Sequence, residues 1–253
     1  MTTLSSHQHL LDQLAQLRLP AFRQALEAQL ATPQYDELSF EERLTLLVET
    51  EVLQRQENRI QRRVREAHFQ QTAWVQEIDV SPGRNLQRQQ ILQLAQTTWI
   101  RKGLNLIIIG PTGAGKTFIA CALGRAACEQ DLITRYFRLP RFFQEMKIAQ
   151  LDGTYPKLIR SLHKTDLLIL DDWLRDTPSI VDAQFLLDVL DDRYNRMATM
   201  LVSQFPITAW HARIPDPTLA DAILDRLVHN AHRVELQGES QRKLRATRTM
   251  SST

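Results

Sequence analysis

The spacing of apolar residues changes along the chain. In the first 70 residues they recur every three or four positions, as Leu10 and Leu14 do, which predicts amphipathic helices. Ser39, followed three residues later by Glu42, has the form of a capping box and predicts a long helix extending to about Phe69. Nothing in this region has the alternation typical of strands. The first part of the chain is therefore predicted to be helical.

From residue 104 onward, short apolar runs alternate with helical segments. The runs predict five strands: Leu104 to Ile109, Thr134 to Arg138, Leu167 to Leu170, Thr199 to Val202, and His232 to Leu236. Between the two regions, a linker is followed by a helix from about Leu86 to Thr98. Strands separated by helices are typical of a parallel sheet flanked by helices. We therefore predict a helical domain in residues 1–75 and an α/β domain with a parallel sheet in residues 76–253.

One segment matches the phosphate-binding pattern G-x-x-x-x-G-K-[ST] in full, directly after the first predicted strand and before a predicted helix. Glycines let the backbone N–H groups turn toward phosphates, and the helix N-terminus adds a positive dipole end. We expect Lys116 to reach the β- and γ-phosphates of ATP and the Thr117 hydroxyl to bind Mg²⁺. The candidate nucleotide ligands are Gly110, Pro111, Thr112, Gly113, Ala114, Gly115, Lys116 and Thr117.

A second apolar strand ends in two carboxylates, Asp171 and Asp172. We expect Asp171 to hold Mg²⁺, directly or through water, and Asp172 to polarise the water that attacks ATP. An acidic turn at a strand end is the alternative interpretation. Because aspartate is shorter than the glutamate common in vigorous ATPases at the second position, we expect slow hydrolysis.

The formal net charge of +2 identifies no partner, but the arginines are clustered. In the long helix they fall at i, i+4, i+7 and i+8 and share one face: Arg55, Arg59, Arg62 and Arg63. Such a face is either solvated or in contact with nucleic-acid phosphates. Arg138 and Arg141, interleaved with aromatic residues such as Tyr136, form a second candidate DNA contact, although such aromatics are more often core residues than stacking platforms.

These motifs together resemble AAA+ ATPases of the initiator and helicase-loader group. The stretches from Ala220 to Ala231 and from Glu235 to Ser240 more closely resemble the IstB-type transposition helper ATPases of bacterial insertion sequences. The resemblance covers nearly the whole chain. It implies that Gln204 is a sensor for the γ-phosphate or the water, that Arg226 is an arginine finger acting on a neighbouring subunit, and that Arg242 is a second sensor.

Alternatives remain for the implied residues and for the function. Gln204 also fits a surface loop, and Arg226 also fits an ion pair with Asp225 or Asp221. The resemblance implies an ATPase that forms a homo-oligomer, a ring or a helix, on duplex DNA with little sequence preference and recruits a transposase. A DnaC-like replicative helicase loader that favours single strands, and an adaptor that binds protein but no DNA, are the other candidates.

The chain contains no apolar run long enough to span a bilayer, and it begins with no recognisable secretory signal. We therefore expect a cytoplasmic protein that does not bind membranes.

Overall fold

The computed structural model describes residues 2–238. The chain divides into two compact units, Met1–Arg62 and Arg63–Thr253. The division lies between residues 62 and 63 rather than between 75 and 76 as predicted. The reason is that Phe69 and Ala73, placed by the prediction in the N-terminal domain, pack into the core of the second unit.

The first unit is helical, as predicted. It contains α1 (Thr2–Gln16), α2 (Pro20–Ala31) and the greater part of α3 (Phe40–Ala67). The capping box is confirmed, because the Ser39 N–H donates to Glu42 Oε2 at 2.8 Å and the Glu42 N–H donates to Ser39 Oγ at 3.3 Å.

The second unit alternates strands and helices. The strands are β1 (Asn105–Ile109), β2 (Thr134–Arg138), β3 (Leu167–Asp171), β4 (Ala198–Ser203) and β5 (Ala231–Glu235). The helices after α3 are α4 (Arg88–Ala95), α5 (Thr98–Arg101), α6 (Lys116–Glu129), α7 (Leu139–Leu151), α8 (Tyr155–His163), α9 (Ile180–Arg193) and α10 (Pro217–Val228). Each strand lies within one residue of its predicted bounds. The helix predicted up to Thr98 is interrupted at Thr97, whose φ of 59° is left-handed.

The five strands form one parallel sheet in the order β2-β3-β4-β1-β5. This confirms the predicted α/β fold. The carboxyl ends of β1, β4 and β3 lie side by side, and in open parallel sheets ligands bind at that edge.

Alternate residues of each strand enter cores on opposite faces of the sheet. On β1, Leu106 and Ile108 pack with residues of α6, whereas Ile107 and Ile109 pack with residues of α7, α9 and α10. A strand buried on both faces needs an uninterrupted apolar run, which is why β1 and β3 were recognisable in the sequence. Within residues 2–238, every helix is too short or too polar to cross a membrane.

Candidate nucleotide-binding and hydrolysis site

The phosphate-binding loop connects β1 to α6 in a conformation that requires glycine. Gly113 and Gly115 have φ angles of 85° and 87°, in the left-handed region. Gly110 has a φ of 154°, and a Cβ atom there would lie 2.7 Å from the carbonyl oxygen of Leu236, which follows β5. The loop therefore keeps its glycines both for backbone geometry and for close packing.

Lys116 is the first residue of α6, and its ammonium group lies within the loop. Nζ donates to the carbonyl oxygens of Gly110 at 2.8 Å and Pro111 at 2.9 Å. The loop thus holds a positive charge next to the N-terminus of α6, whose dipole has the same sign. This arrangement suits a polyphosphate.

Asp171, the last residue of β3, is 4% exposed and accepts three hydrogen bonds. Its Oδ2 accepts from Thr117 Oγ1 and from the Tyr136 hydroxyl, each at 2.7 Å, and its Oδ1 accepts from the N–H of Asp172, also at 2.7 Å. The structure thus joins the two residues predicted to hold Mg²⁺. Tyr136 was predicted only as an aromatic residue near the arginines.

Asp172 follows β3 in a left-handed conformation, with a φ of 55°. Its Oδ2 accepts from Arg138 Nε at 2.8 Å and from Arg175 Nη1 at 3.1 Å. Non-glycine residues with positive φ are concentrated at functional sites. Arg138, predicted as a DNA contact, is in this structure an ion-pair partner of the candidate catalytic carboxylate.

A buried tryptophan anchors this turn to the neighbouring strand. Trp173 is fully buried against Trp210. Its main-chain N–H donates to the carbonyl oxygen of Val202 at 2.8 Å, and its main-chain carbonyl accepts from Ser203 Oγ at 3.1 Å. Both contacted residues belong to β4, which precedes Gln204. The two carboxylates at the end of β3 and the amide after β4 are therefore held in register.

Gln204 lies at the carboxyl end of β4, between β1 and β3, where the prediction requires it. Its Oε1 accepts a hydrogen bond from Thr112 Oγ1 at 2.8 Å. The side chain is exposed, and this hydrogen bond connects it to the phosphate-binding loop. This is the position from which an amide can sense a phosphate.

The segment predicted as a linker forms a wall of the pocket beside the loop. The pocket is lined by residues of this segment (Gln71, Glu77, Ile78, Asp79 and Arg84), by Gly113, and by residues 115–119. Arg84 is 6% exposed, and its Nη2 donates to the carbonyl oxygen of Ala114 at 2.5 Å. Its Nε is buried without a hydrogen-bond partner among the described residues. Sequence reasoning missed this wall, because a tertiary contact alone brings residues 71–84 to the loop.

Arg226 lies apart from this pocket, on α10. Its Nε is paired with Asp191 of α9, and its Nη1 donates to the carbonyl oxygen of Ala222 at 2.8 Å. Its partner is thus neither Asp225 nor Asp221. Arg226 lines a different surface pocket, which contains no residue of the phosphate-binding loop.

The arginines predicted to share one face of α3 have different environments. Arg55, Arg59 and Arg62 are exposed, but Arg55 Nε also pairs with the buried Glu51 at 2.7 Å. Arg63 departs from the prediction, because its side chain is only 19% exposed and Nη2 lies 3.5 Å from Asp131.

Arg141, the other predicted DNA contact on the second unit, lies outside the nucleotide site. Arg141, on α7, is exposed and pairs with Glu145 at 3.1 Å, so it belongs to the surface and not to the pocket. Arg242 lies outside the described residues.

The residues present fit ATP and Mg²⁺. The left-handed glycines Gly113 and Gly115 let the loop turn its backbone N–H groups toward a phosphate, and Lys116 supplies the positive charge. The Thr117 hydroxyl and the Asp171 carboxylate, 2.7 Å apart, are the oxygen ligands that Mg²⁺ prefers.

Comparison with known proteins shows similar chains in insertion sequences. Residues 12–249 match the family described as IstB-like ATP binding protein. The insertion-sequence ATP-binding protein y4pL of Sinorhizobium fredii is 41% identical over 233 residues, which cover 92% of this chain and 95% of that protein. The ATP-binding protein of insertion sequence IS1162 from Pseudomonas fluorescens is 42% identical over 200 residues, which cover 79% of this chain and 87% of that protein. These matches confirm the predicted family and the prediction of an ATP-binding ATPase.

Solved structures show the same fold at low sequence identity. The DnaC helicase loader is 16% identical with a TM-score of 0.53, and the match covers 65% of this chain and 97% of that chain. AMPPCP-bound DnaA from Aquifex aeolicus is 16% identical with a TM-score of 0.57, covering 74% of this chain and 57% of that chain. The likeness supports the predicted fold and no more.

Proposed function

Because this chain belongs to the IstB-like ATP-binding proteins found in insertion sequences, we propose that it is an ATP-dependent helper of transposition. In this proposal it assembles with ATP on duplex DNA and recruits and stimulates its transposase, and ATP hydrolysis releases the assembly. The observation that carries the proposal is the meeting of Thr117 and Asp171 at the phosphate-binding loop, in a chain whose relatives are insertion-sequence proteins.

Hydrolysis would use groups from three neighbouring strand ends. Lys116 would bind the terminal phosphates, and Thr117 and Asp171 would hold Mg²⁺, which would supply positive charge next to the phosphates. Asp172 accepts a hydrogen bond from the attacking water and polarises it. Gln204 responds to the γ-phosphate from the end of β4. Phosphoryl transfer depends mainly on such positioning and electrostatics.

The ion pairs of Asp172 support slow hydrolysis. Its Oδ2 accepts from Arg138 at 2.8 Å and from Arg175 at 3.1 Å, so both guanidinium groups compete with water for this oxygen. The ion pairs are therefore a second reason to expect slow hydrolysis, in addition to the short aspartate side chain. The basal turnover should therefore be low.

Oligomerisation would complete the site. Arg226 lines a surface pocket that includes none of the phosphate-binding loop, so we propose that it acts on the nucleotide of a neighbouring subunit. An arginine supplied in this way can contribute about 10³- to 10⁵-fold in rate. A lone subunit would bind ATP but hydrolyse it poorly, which links ATP use to a ring or helical assembly.

DNA contacts would come from exposed arginines of both predicted domains. In the helical domain of residues 1–75, Arg55, Arg59 and Arg62 are exposed on α3. In the ATPase domain of residues 76–253, Arg141 is exposed on α7, and Arg138 is 51% exposed beside it. Contacts of this kind address phosphates, so binding would depend weakly on sequence and strongly on salt.

Fluorescence anisotropy tests this function directly. Labelled duplex and single-stranded DNA of matched length are titrated with the protein in ATP, in ADP and in buffer alone, and with the Lys116→Ala variant in ATP. We expect cooperative binding that prefers duplex, requires ATP and is lost in Lys116→Ala. A rise in salt from 50 to 200 mM should weaken it sharply, because phosphate contacts release counterions.

The other outcomes identify the other candidates. A preference for single strands would overturn the proposal in favour of a helicase loader. Binding to neither DNA, with ATP binding intact, would leave an adaptor that recognises protein.

A further inference from the structure

The edge strand β2 contributes a tyrosine to the centre of the site. Tyr136 is 5% exposed, and its ring packs in the core on the α6 face of the sheet. Its hydroxyl donates to Asp171 Oδ2 at 2.7 Å. The adjacent Phe137 points to the opposite core. A phenylalanine would fill the core at Tyr136 equally well, so the hydroxyl needs a separate explanation.

Tyr136 and Thr117 donate to the same carboxylate oxygen, Oδ2 of Asp171, while the N–H of Asp172 takes Oδ1. The three donors approach from β2, from α6 and from the turn after β3. A carboxylate held from three directions cannot rotate without losing a hydrogen bond. In a buried site each such loss is costly, because no water replaces the donor.

We propose that Tyr136 is a positioning residue for magnesium: its hydroxyl fixes the Asp171 carboxylate so that Oδ2 stays beside the Thr117 hydroxyl. This inference rests on the proposed use of Mg²⁺ and ATP. The contact between Tyr136 and Mg²⁺ is indirect, through Asp171. Groups of this kind, which orient a metal ligand, typically change metal affinity about 10- to 100-fold when removed.

The phenol remains a donor across the working pH range. Burial, reinforced by the Asp171 carboxylate, raises the pKa of Tyr136 well above its usual range. The hydroxyl therefore stays protonated and always presents its hydrogen to Asp171.

The test separates metal binding from nucleotide binding. The affinity for a fluorescent ATP analogue is measured for the full chain in EDTA and then as a function of added Mg²⁺, in wild type, Tyr136→Phe and Tyr155→Phe. Tyr155 is a matched control, because it is half-buried against Phe185 at the core on the opposite face of the sheet from Tyr136. We expect Tyr136→Phe to raise the half-saturating Mg²⁺ concentration about tenfold, with the affinity in EDTA unchanged and Tyr155→Phe like wild type.

Two results would overturn the inference. One is a Mg²⁺ dependence of Tyr136→Phe that matches wild type. The other is an equal loss of nucleotide affinity in EDTA, since that loss would mean general damage to the pocket. Thermal unfolding of each variant checks folding, and Mn²⁺ binding with ADP, followed by electron paramagnetic resonance, repeats the measurement without hydrolysis. If wild type itself binds no nucleotide in any buffer, the proposed function fails and not this inference alone.

Discussion

Replacing Arg138 by alanine should accelerate basal ATP hydrolysis, although most losses of a charged group near an active site slow an enzyme. Arg138 Nε lies 2.8 Å from Oδ2 of Asp172, the carboxylate proposed to polarise water. The pairing occupies a lone pair of that oxygen that would otherwise be open to a hydrogen bond from water. Arg138→Ala removes this competition and leaves Arg175, at 3.1 Å, as the remaining partner.

The size of the effect follows from exposure. The side chains of Arg138 and Asp172 are 51% and 26% exposed, so solvent screens the pair. Exposed ion pairs contribute about 0.2–1 kcal/mol. If breaking this ion pair is needed to free Asp172 for water, the loss of the pair in Arg138→Ala should raise the rate about 1.4- to 5-fold.

Phosphate release at saturating ATP and Mg²⁺, without DNA, measures the effect. Arg141→Ala is the matched control, because Arg141 is three residues further on and pairs with Glu145 instead. In an Asp172→Asn background Arg138→Ala should change nothing. The reasoning is refuted if Arg138→Ala lowers the rate, if it equals Arg141→Ala, or if its gain survives in Asp172→Asn.

Three other predictions follow from the structure. Arg193 is fully buried and donates to four main-chain carbonyl oxygens. Arg193→Met would leave these acceptors without their donor, so it should lower the free energy of unfolding in urea titrations by about 1–3 kcal/mol or more. The same change at the exposed Arg196 should cost about 0.5 kcal/mol at most. Burial raises the pKa of the Cys121 and Cys128 thiols from about 9 to about 11. Because the thiolate is the reactive form, both should react with a thiol reagent at pH 8 about a hundredfold more slowly than an ordinary thiol. The reaction should become fast when urea unfolds the protein. Finally, mixing the Lys116→Ala and Arg226→Ala variants should restore part of the ATP hydrolysis that each variant lacks alone. The Lys116→Ala subunit supplies the arginine, and the Arg226→Ala subunit supplies the intact phosphate-binding loop. If no activity is recovered, the arginine does not act between subunits.

The elements whose signals are local were predictable from the sequence. The strands β1 and β3 are uninterrupted apolar runs, and the phosphate-binding loop has a pattern set by backbone geometry at Gly113 and Gly115. The capping box at Ser39 fixes the start of α3 through contacts within four residues. Each of these features is determined by neighbours along the chain, so one sequence suffices to find it.

Features that depend on pairing over long distances were not predictable in the same way. Arg63 and Arg55 have the helical spacing of an exposed face, yet one packs near Asp131 and the other pairs with buried Glu51. A charge pattern shows which residues share a face but not what packs against that face. The pocket wall around Arg84 lacks any motif. Irregular chain leaves no periodic signal, so the sequence predicts only a linker there.

The role of β2 shows most clearly why motif recognition leaves part of this site out. In the parallel register Arg138 lies opposite Asp171. Tyr136 and Arg138, which share one face of β2, therefore reach the two carboxylates at the end of β3. Some 35 residues separate each donor from its acceptor, and neither donor belongs to the phosphate-binding pattern. In the two proposals, the positioning of the Asp171 carboxylate and the restraint on Asp172 come from alternate residues of an edge strand that has no strand beyond it in the described sheet. A displacement of β2 would then change the position of the Asp171 carboxylate and the ion pair of Asp172 at once. A change confined to the loop between β1 and α6 would alter nucleotide binding alone.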